Sequence, residues 1–212
     1  MLKAVDNFDR RLAAILDKLR IPPDRVENLA GDASSRRFYR IEPPQKSAPQ
    51  ILIVFPEPSV SDIERYCRIG TTLEEAGLPV PEIFIKDEKL GFLLVEDCGD
   101  FTLQKAALTL PGDAVSPLYL EAVDLLKEIQ KKLVPSRYPE CPALRFSFDL
   151  TTFGRELDFF LIHTLQGYYH GQIPGADRER FEHFFRLICI RSLEQPRVFC
   201  HRDYHSRNLL LH

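Results

Sequence analysis

The sequence predicts an α+β fold, and three observations carry that expectation. Short β-type apolar runs, Ile51 to Phe55 and Phe92 to Glu96, lie in the first half of the chain. Helical periodicity dominates the second half, over 116–133, 153–169 and 177–194. The chain then closes on a polar stretch, HRDYHSRN at 201–208, set between Val198–Cys200 and Leu209–Leu211. Both flanks read as buried strands, and a polar loop pinned between strands reads as a site.

Composition narrows the class. With 212 residues the chain holds one large domain or two small lobes. Its 44% apolar and 28% charged residues are ordinary for a soluble globular protein, and a net charge of −3 gives no reason to expect nucleic acid as a partner. The cysteines (Cys67, Cys98, Cys141, Cys189, Cys200) are odd in number and lack CxxC spacing. That pattern points to a reducing, cytoplasmic setting and away from a disulfide framework or zinc cluster. The opening MLKAVDNFDRR lacks the apolar run of a signal peptide. No apolar run approaches the ~20 residues that span a membrane, so no membrane partner is expected. Oligomeric state is left open.

The elements follow in order. Residues 6–20 form an amphipathic helix with Phe8, Leu12, Ile15, Leu16 and Leu19 on one face, stopped by Pro22 and Pro23. In LAGDASSRRFYRI, 29–41, the small residues Gly31, Ala33, Ser34 and Ser35 make a turn before a strand through Phe38, Tyr39 and Ile41. Such a turn can cover nucleotide phosphates with backbone N–H groups, although most are ordinary hairpins. Arg36 and Arg37 add positive charge beside it, where simple solvation is the alternative. EPPQKSAPQ, 42–50, is a connection to the strand ILIVF.

Residues 61–77 read as a helix with a Ser61/Glu64 capping box and Gly77 at its end. After the strand at 92–96, EDCGD at 96–100 is the place for Glu96, Asp97 and Cys98 to read a nucleobase edge through main-chain groups; a plain loop is the alternative. Helix 116–133 takes Ser116 as N-cap and Pro117 at its first position, and 134–149 is a proline-rich loop. Helix 153–169 places Leu157, Phe160, Leu161 and Leu165 on its apolar side. Its Glu156 and Asp158 are candidates for sugar hydroxyls, with solvation an equal alternative. The last helix offers Phe181, Phe184, Phe185, Ile188 and Leu193 to a core.

The closing loop carries the chemistry. Its spacing is His201-x-Asp203-x-x-x-x-Asn208. Phosphoryl transfer from a nucleotide needs a carboxylate beside the attacking hydroxyl and an oxygen ligand for the magnesium that bridges the phosphates. Asp203 fits the first role and Asn208 the second. His201 is expected to brace the loop by hydrogen bonding, and His205 to point toward the transferred phosphoryl group. A metal site built from His201, Asp203 and His205 is a rival, weakened because the arguable zinc motifs place histidine pairs on a helix.

In these blocks, GDASSRRFYRI at 31–41, EEAGLPVPEI through GFLLVEDCGD at 74–100 and HRDYHSRNLLL at 201–211, the chain resembles the aminoglycoside phosphotransferase/choline kinase superfamily. Within it, the chain is most similar to the bacterial branch of N-acetylmuramate/N-acetylglucosamine anomeric kinases. The resemblance implies a protein-kinase-like two-lobed fold, with a β-rich N-lobe over 1–97, a hinge, and a partial helical C-lobe over 98–212. It also implies ATP and magnesium as cofactors, and a sugar or amino sugar as the small-molecule substrate. Two departures stand out. ILIVF lacks the lysine that kinases place on this strand, so Arg36 or Arg37 is the candidate replacement. The family's Asp-Phe-Gln strand, with its magnesium-binding Asp, does not occur after Asn208. The expectation is therefore a piece of a longer kinase. A nucleotide-binding pseudokinase or scaffold, and an aminoglycoside kinase, are the alternatives.

Overall fold

A computed structural model describes residues 2–29, 35–43 and 48–212, with side chains from Phe8 onward. Gly31, Ala33 and Ser34 of the expected phosphate turn lie outside the described residues.

The first unit comprises residues 1–142 together with 200–212. It is built on an antiparallel sheet in the order β1-β2-β3-β5-β4. The strands are β1 (Val26–Leu29), β2 (Arg37–Ile41), β3 (Gln50–Val54), β4 (Ile83–Asp87) and β5 (Phe92–Glu96). β3 and β5 run side by side at its centre, with Leu52 opposite Leu94 and Ile53 opposite Leu93. Most side chains of these two strands are buried, with Gln50, Ile51 and Glu96 half-buried, which explains their continuous rather than alternating apolar text.

Alternation along the strands gives each face of the sheet its own core. On one face Tyr39, Ile41, Leu52, Val54, Phe92 and Leu94 meet Phe8, Ile15, Leu16 and Ile21 from α1 (Leu2–Leu19) and the residues after it. Leu12 and Leu19 pack against the same cluster, so the stripe expected from the 3.6-residue period is the one that docks. On the other face Ile53, Phe55, Leu93 and Val95 close over Ile63 of α2 (Val60–Glu75), with Tyr66 and Cys67 beside it. Fully burying one such aliphatic or aromatic side chain is worth about 1.5–3 kcal/mol.

The caps of α2 correct one expectation. Ser59, not Ser61, is the N-cap, and its hydroxyl accepts the Asp62 N–H at 3.2 Å. The C-terminal stop is as expected. Gly77 takes φ +65°, its N–H donates to Glu74 O, and Leu78 N–H donates to Leu73 O. These are the paired bonds of a Schellman ending, with Leu78 buried as its apolar clasp.

After β5 come α3 (Leu103–Thr109) and α4 (Gly112–Lys132). α4 starts ahead of the expected Ser116, with Pro111 as N-cap, and so leaves Pro117 inside the helix, where it cannot donate to the Asp113 carbonyl. Ser116 instead donates its hydroxyl to Gly112 O at 2.9 Å.

The second unit, Ala143–Phe199, is helical. A short α5 (Pro142–Arg145) leads into it, and α6 (Leu150–Phe159) is capped by Asp149, which accepts the Thr152 N–H at 2.7 Å. α6 continues without a break as a π-helix, Phe160–Tyr168, and α7 (Gly175–Leu193) packs on α6. The expected single α-helix over 153–169 is therefore a composite. Leu161 and Cys189 are buried, whereas Phe160, Phe184 and Ile188, expected in the core, are exposed. α7 carries apolar residues around much of its circumference, and one neighbouring helix covers only part of it. Among the described residues no helix is long and apolar enough to cross a membrane.

Candidate active site

The closing loop belongs to the first unit and is fastened by main-chain bonds to the segment after β5. Leu211 N–H donates to Phe101 O at 2.8 Å, and Leu103 N–H donates to Leu209 O at 2.8 Å. Thr102 and Leu210 form an isolated antiparallel bridge, and Gln104 N–H donates to Ser206 O at 2.9 Å. The expected strands on either side of the loop are not present. Residues 198–200 are irregular, and 209–211 make only that single bridge, with Val198 and Leu210 exposed. An extended run with one short pairing does not build a ladder, whatever its β propensity.

Inside the loop the hydrogen bonds are local and directional. Asn208 donates its side-chain amide to the main-chain carbonyl of Asp203 at 3.0 Å, and the same nitrogen lies 3.3 Å from His205 Nε2. Main-chain bonds from His205 to Asp203 and from Asn208 to His205 close two consecutive turns. Arg202 sits at φ +76°, a costly conformation for a residue with a Cβ. Tyr204 donates its hydroxyl to Ala122 O on α4, and burial pushes its phenol pKa up.

The outcome is a held loop with an open acid. Asp203 is exposed, and its carboxylate has no partner among the described residues. His201, expected to hydrogen-bond within the loop, makes an edge-to-face ring contact with Tyr204 at 5.5 Å. Asn208 spends its NH2 on the loop, so its Oδ1 is the atom left to bind an ion. One amide oxygen does not make a magnesium site, since that ion takes carboxylate and phosphate oxygens in near-octahedral geometry. No three His, Cys, Asp or Glu side chains come together to hold a metal among the described residues. His201, Asp203 and His205 accordingly do not come together as a three-ligand metal site in this loop.

The segment leaving β5 is the other half. Glu96 accepts the Glu82 N–H on its carboxylate at 3.1 Å and donates its own N–H to Glu82 O at 2.9 Å. Asp97 Oδ1 accepts the Gly99 N–H at 2.9 Å, turning the chain at Gly99, which takes φ +80°. The Cys98 thiol is pushed up, by burial first and then by the charges of Glu96 and Asp97.

Arg40 of β2, which sequence reasoning missed, grips this turn. Its Nε and Nη2 donate to the Asp97 carboxylate at 2.6 and 3.3 Å, and its Nη1 and Nη2 donate to Asp100 at 3.0 and 2.7 Å. Glu27 adds a longer pair at 3.5 Å. Both aspartates are held below their usual range, chiefly by the bonds from Arg40, and Arg40 is held firmly charged by the same bonds.

The two arginines beside the expected phosphate turn go to opposite faces of the sheet. Arg37 stacks over Phe8 at 3.9 Å and lies 3.6 Å from Asp9, on the α1 side. Arg36 lies over Phe55 and Tyr66, at 5.7 and 5.9 Å, on the α2 side. Ser35 is exposed at the start of this stretch. Glu156 and Asp158 are exposed on α6 of the second unit.

Residues 25–212 match the Phosphotransferase enzyme family, APH. The chain belongs to that family. It is 31% identical over 191 residues to the N-acetylmuramate/N-acetylglucosamine kinase of Pseudomonas aeruginosa, covering 90% of this chain and 53% of that protein. The enzymes of the same name from Pseudomonas putida and Neisseria meningitidis are each 27% identical, over 90% and 86% of this chain and 52% of each relative. The APH chain thus spans about half the length of the curated relatives it matches. Among solved structures it is similar to the ADP-bound aminoglycoside phosphotransferase APH(2'')-Ib, with a TM-score of 0.63 and 12% identity over 95% of this chain and 66% of that one. The streptomycin–ATP complex of APH(2'')-IIa matches with a TM-score of 0.53 and 12% identity, over 86% of this chain and 58% of that one. At that identity the likeness speaks to fold alone, and the fold is protein-kinase-like.

Proposed function

We propose that this chain carries the nucleotide-binding and catalytic-loop portion of a cytoplasmic ATP-dependent kinase whose acceptor is the hydroxyl of an N-acetylated amino sugar. The observation that carries the reading is the 201–208 loop, in which the Asp203 carboxylate, exposed and without a partner among the described residues, stands on a backbone pinned by Asn208. Asp203 accepts the proton of the acceptor hydroxyl as its oxygen attacks the γ-phosphorus of ATP; the bond to the β-phosphate oxygen breaks and ADP leaves. His205 and His201 shape the loop around that acid. Asn208 Oδ1 is one oxygen that this chain would offer to magnesium; the ion would need further carboxylate or phosphate oxygens, and it would supply charge neutralisation at the phosphates.

Glu96, Asp97 and Cys98 present the nucleobase edge through main-chain groups. The 31–35 turn, with Gly31, Ala33, Ser34 and Ser35, covers the phosphates. Arg36, over Phe55, or Arg37, over Phe8, is the candidate to stand in for the absent strand lysine. The amino-sugar acceptor is supported by the names of the relatives.

The test is steady-state turnover of the full-length protein with N-acetylmuramate and N-acetylglucosamine. Asp203→Asn is expected to lower kcat about 10²–10⁴-fold with little change in nucleotide affinity; unchanged turnover removes Asp203 from the reaction. A second reading, nucleotide binding without turnover, is favoured by the lysine-free β3 strand. ATP binding that ignores magnesium, with no product, would support it.

A further inference from the structure

We propose that Arg40 is a positioning residue for nucleobase recognition: by gripping Asp97 and Asp100 it fixes the turn that presents the base-reading main chain and couples that turn to the catalytic loop. The inference rests on the kinase reading above and deepens it.

Arg40 stands opposite Ile51 on β3, which in turn stands opposite Val95 on β5. The guanidinium therefore spans the width of two strands to reach the residues where β5 ends. It makes two bonds to each of two carboxylates, and its side chain is 17% exposed against 8% for Asp97. A planar fork with five fixed donors can hold two carboxylates in one arrangement; an ammonium cannot.

What the fork fixes is a short stretch of main chain. Asp97 uses one carboxylate oxygen on both Arg40 and the Gly99 N–H, which sets the turn at 97–99. Asp100 is drawn back to the same guanidinium, which sets where the chain leaves the turn. The next residues, Phe101, Thr102 and Leu103, pair with Leu209, Leu210 and Leu211, directly after Asn208. An unbroken chain of bonds thus runs from the sheet through the base-reading segment to the loop that carries Asp203. If the base is read by main-chain groups of 96–98, their spacing depends on this fork, because the fork and the Asp97–Gly99 bond set the turn that carries them.

The expected kinetic signature separates positioning from mere stability. In the full-length protein, Arg40→Lys keeps the charge and loses the fork. It is expected to raise KM for ATP about tenfold, to lower ATP-over-GTP discrimination in kcat/KM at least fivefold, and to leave KM for the amino sugar within about twofold. The discrimination ratio is independent of how much protein is folded, so instability alone does not move it. Asp100→Asn, at an exposed position, is the variant that folds if Arg40→Lys does not, and it should shift the same ratio in the same direction by a smaller amount. An unchanged ATP-to-GTP ratio in both variants overturns the proposal while leaving the kinase reading intact. A wild-type protein that neither binds nor turns over ATP overturns both.

Discussion

Arg40, Asp97 and Asp100 show how much one side chain can organise. Removing a partner from a largely buried, hydrogen-bonded pair leaves the other charge exposed to the desolvation cost that the pair had offset. Asp97→Asn is therefore expected to destabilise the protein by about 1–3 kcal/mol at neutral pH. The sign of the pH dependence follows from the depressed folded-state value of Asp97, caused first by its bonds from Arg40. The stabilisation is fully present above the ordinary aspartate range and is lost as pH falls through that range and below it. Denaturant titrations from pH 7 to pH 3 should thus show the gap between wild type and Asp97→Asn narrowing as acid is added. A gap that stays constant or widens would mean that the fork contributes nothing through charge. None of this was legible in the sequence, since Arg40 lies 57 and 60 residues from its partners and reads locally as one more polar strand residue. Asp203 and Asn208, by contrast, lie five positions apart in one loop, so their proximity needs no long-range contact to be expected from the sequence.

Elements were read well where a period decided them and poorly where a boundary did. The α1 stripe and the two central strands are stated by spacing alone, and the structure buries them. The start of α2 was misplaced because the sequence offers two equivalent frames, Ser59 with Asp62 and Ser61 with Glu64, and only backbone geometry selects the first. Ser59→Ala is accordingly expected to cost about 1 kcal/mol and Ser61→Ala less than about 0.5 kcal/mol, measured by thermal or urea unfolding. Equal costs would return the cap to Ser61. Pro117 misled for a related reason. A proline favours the first turn, yet here the helix begins ahead of it and tolerates one lost bond. The flanks of the closing loop misled because β propensity describes a fit to neighbouring strands, and residues 209–211 make one short main-chain pairing, with Phe101–Leu103.

At the scale of the molecule, the sheet and the closing loop are parts of one unit although nearly the whole chain separates them in sequence. That arrangement puts the segment leaving β5 next to the loop bearing Asp203, and it is why the catalytic reading depends on the fold as well as the motif. Amino-sugar specificity was suggested by resemblance alone, because Glu156 and Asp158 look like any exposed helix acids in the sequence. The central claim, that this unit directs the terminal phosphate of ATP onto a sugar hydroxyl, is tested most directly by phosphorus NMR of the full-length protein with magnesium, ATP and the proposed N-acetylated amino sugar. The expected spectrum shows ADP and a sugar phosphate rising in equal amounts, with no free phosphate. ATP left intact, or converted to ADP and inorganic phosphate with no sugar phosphate, would contradict it.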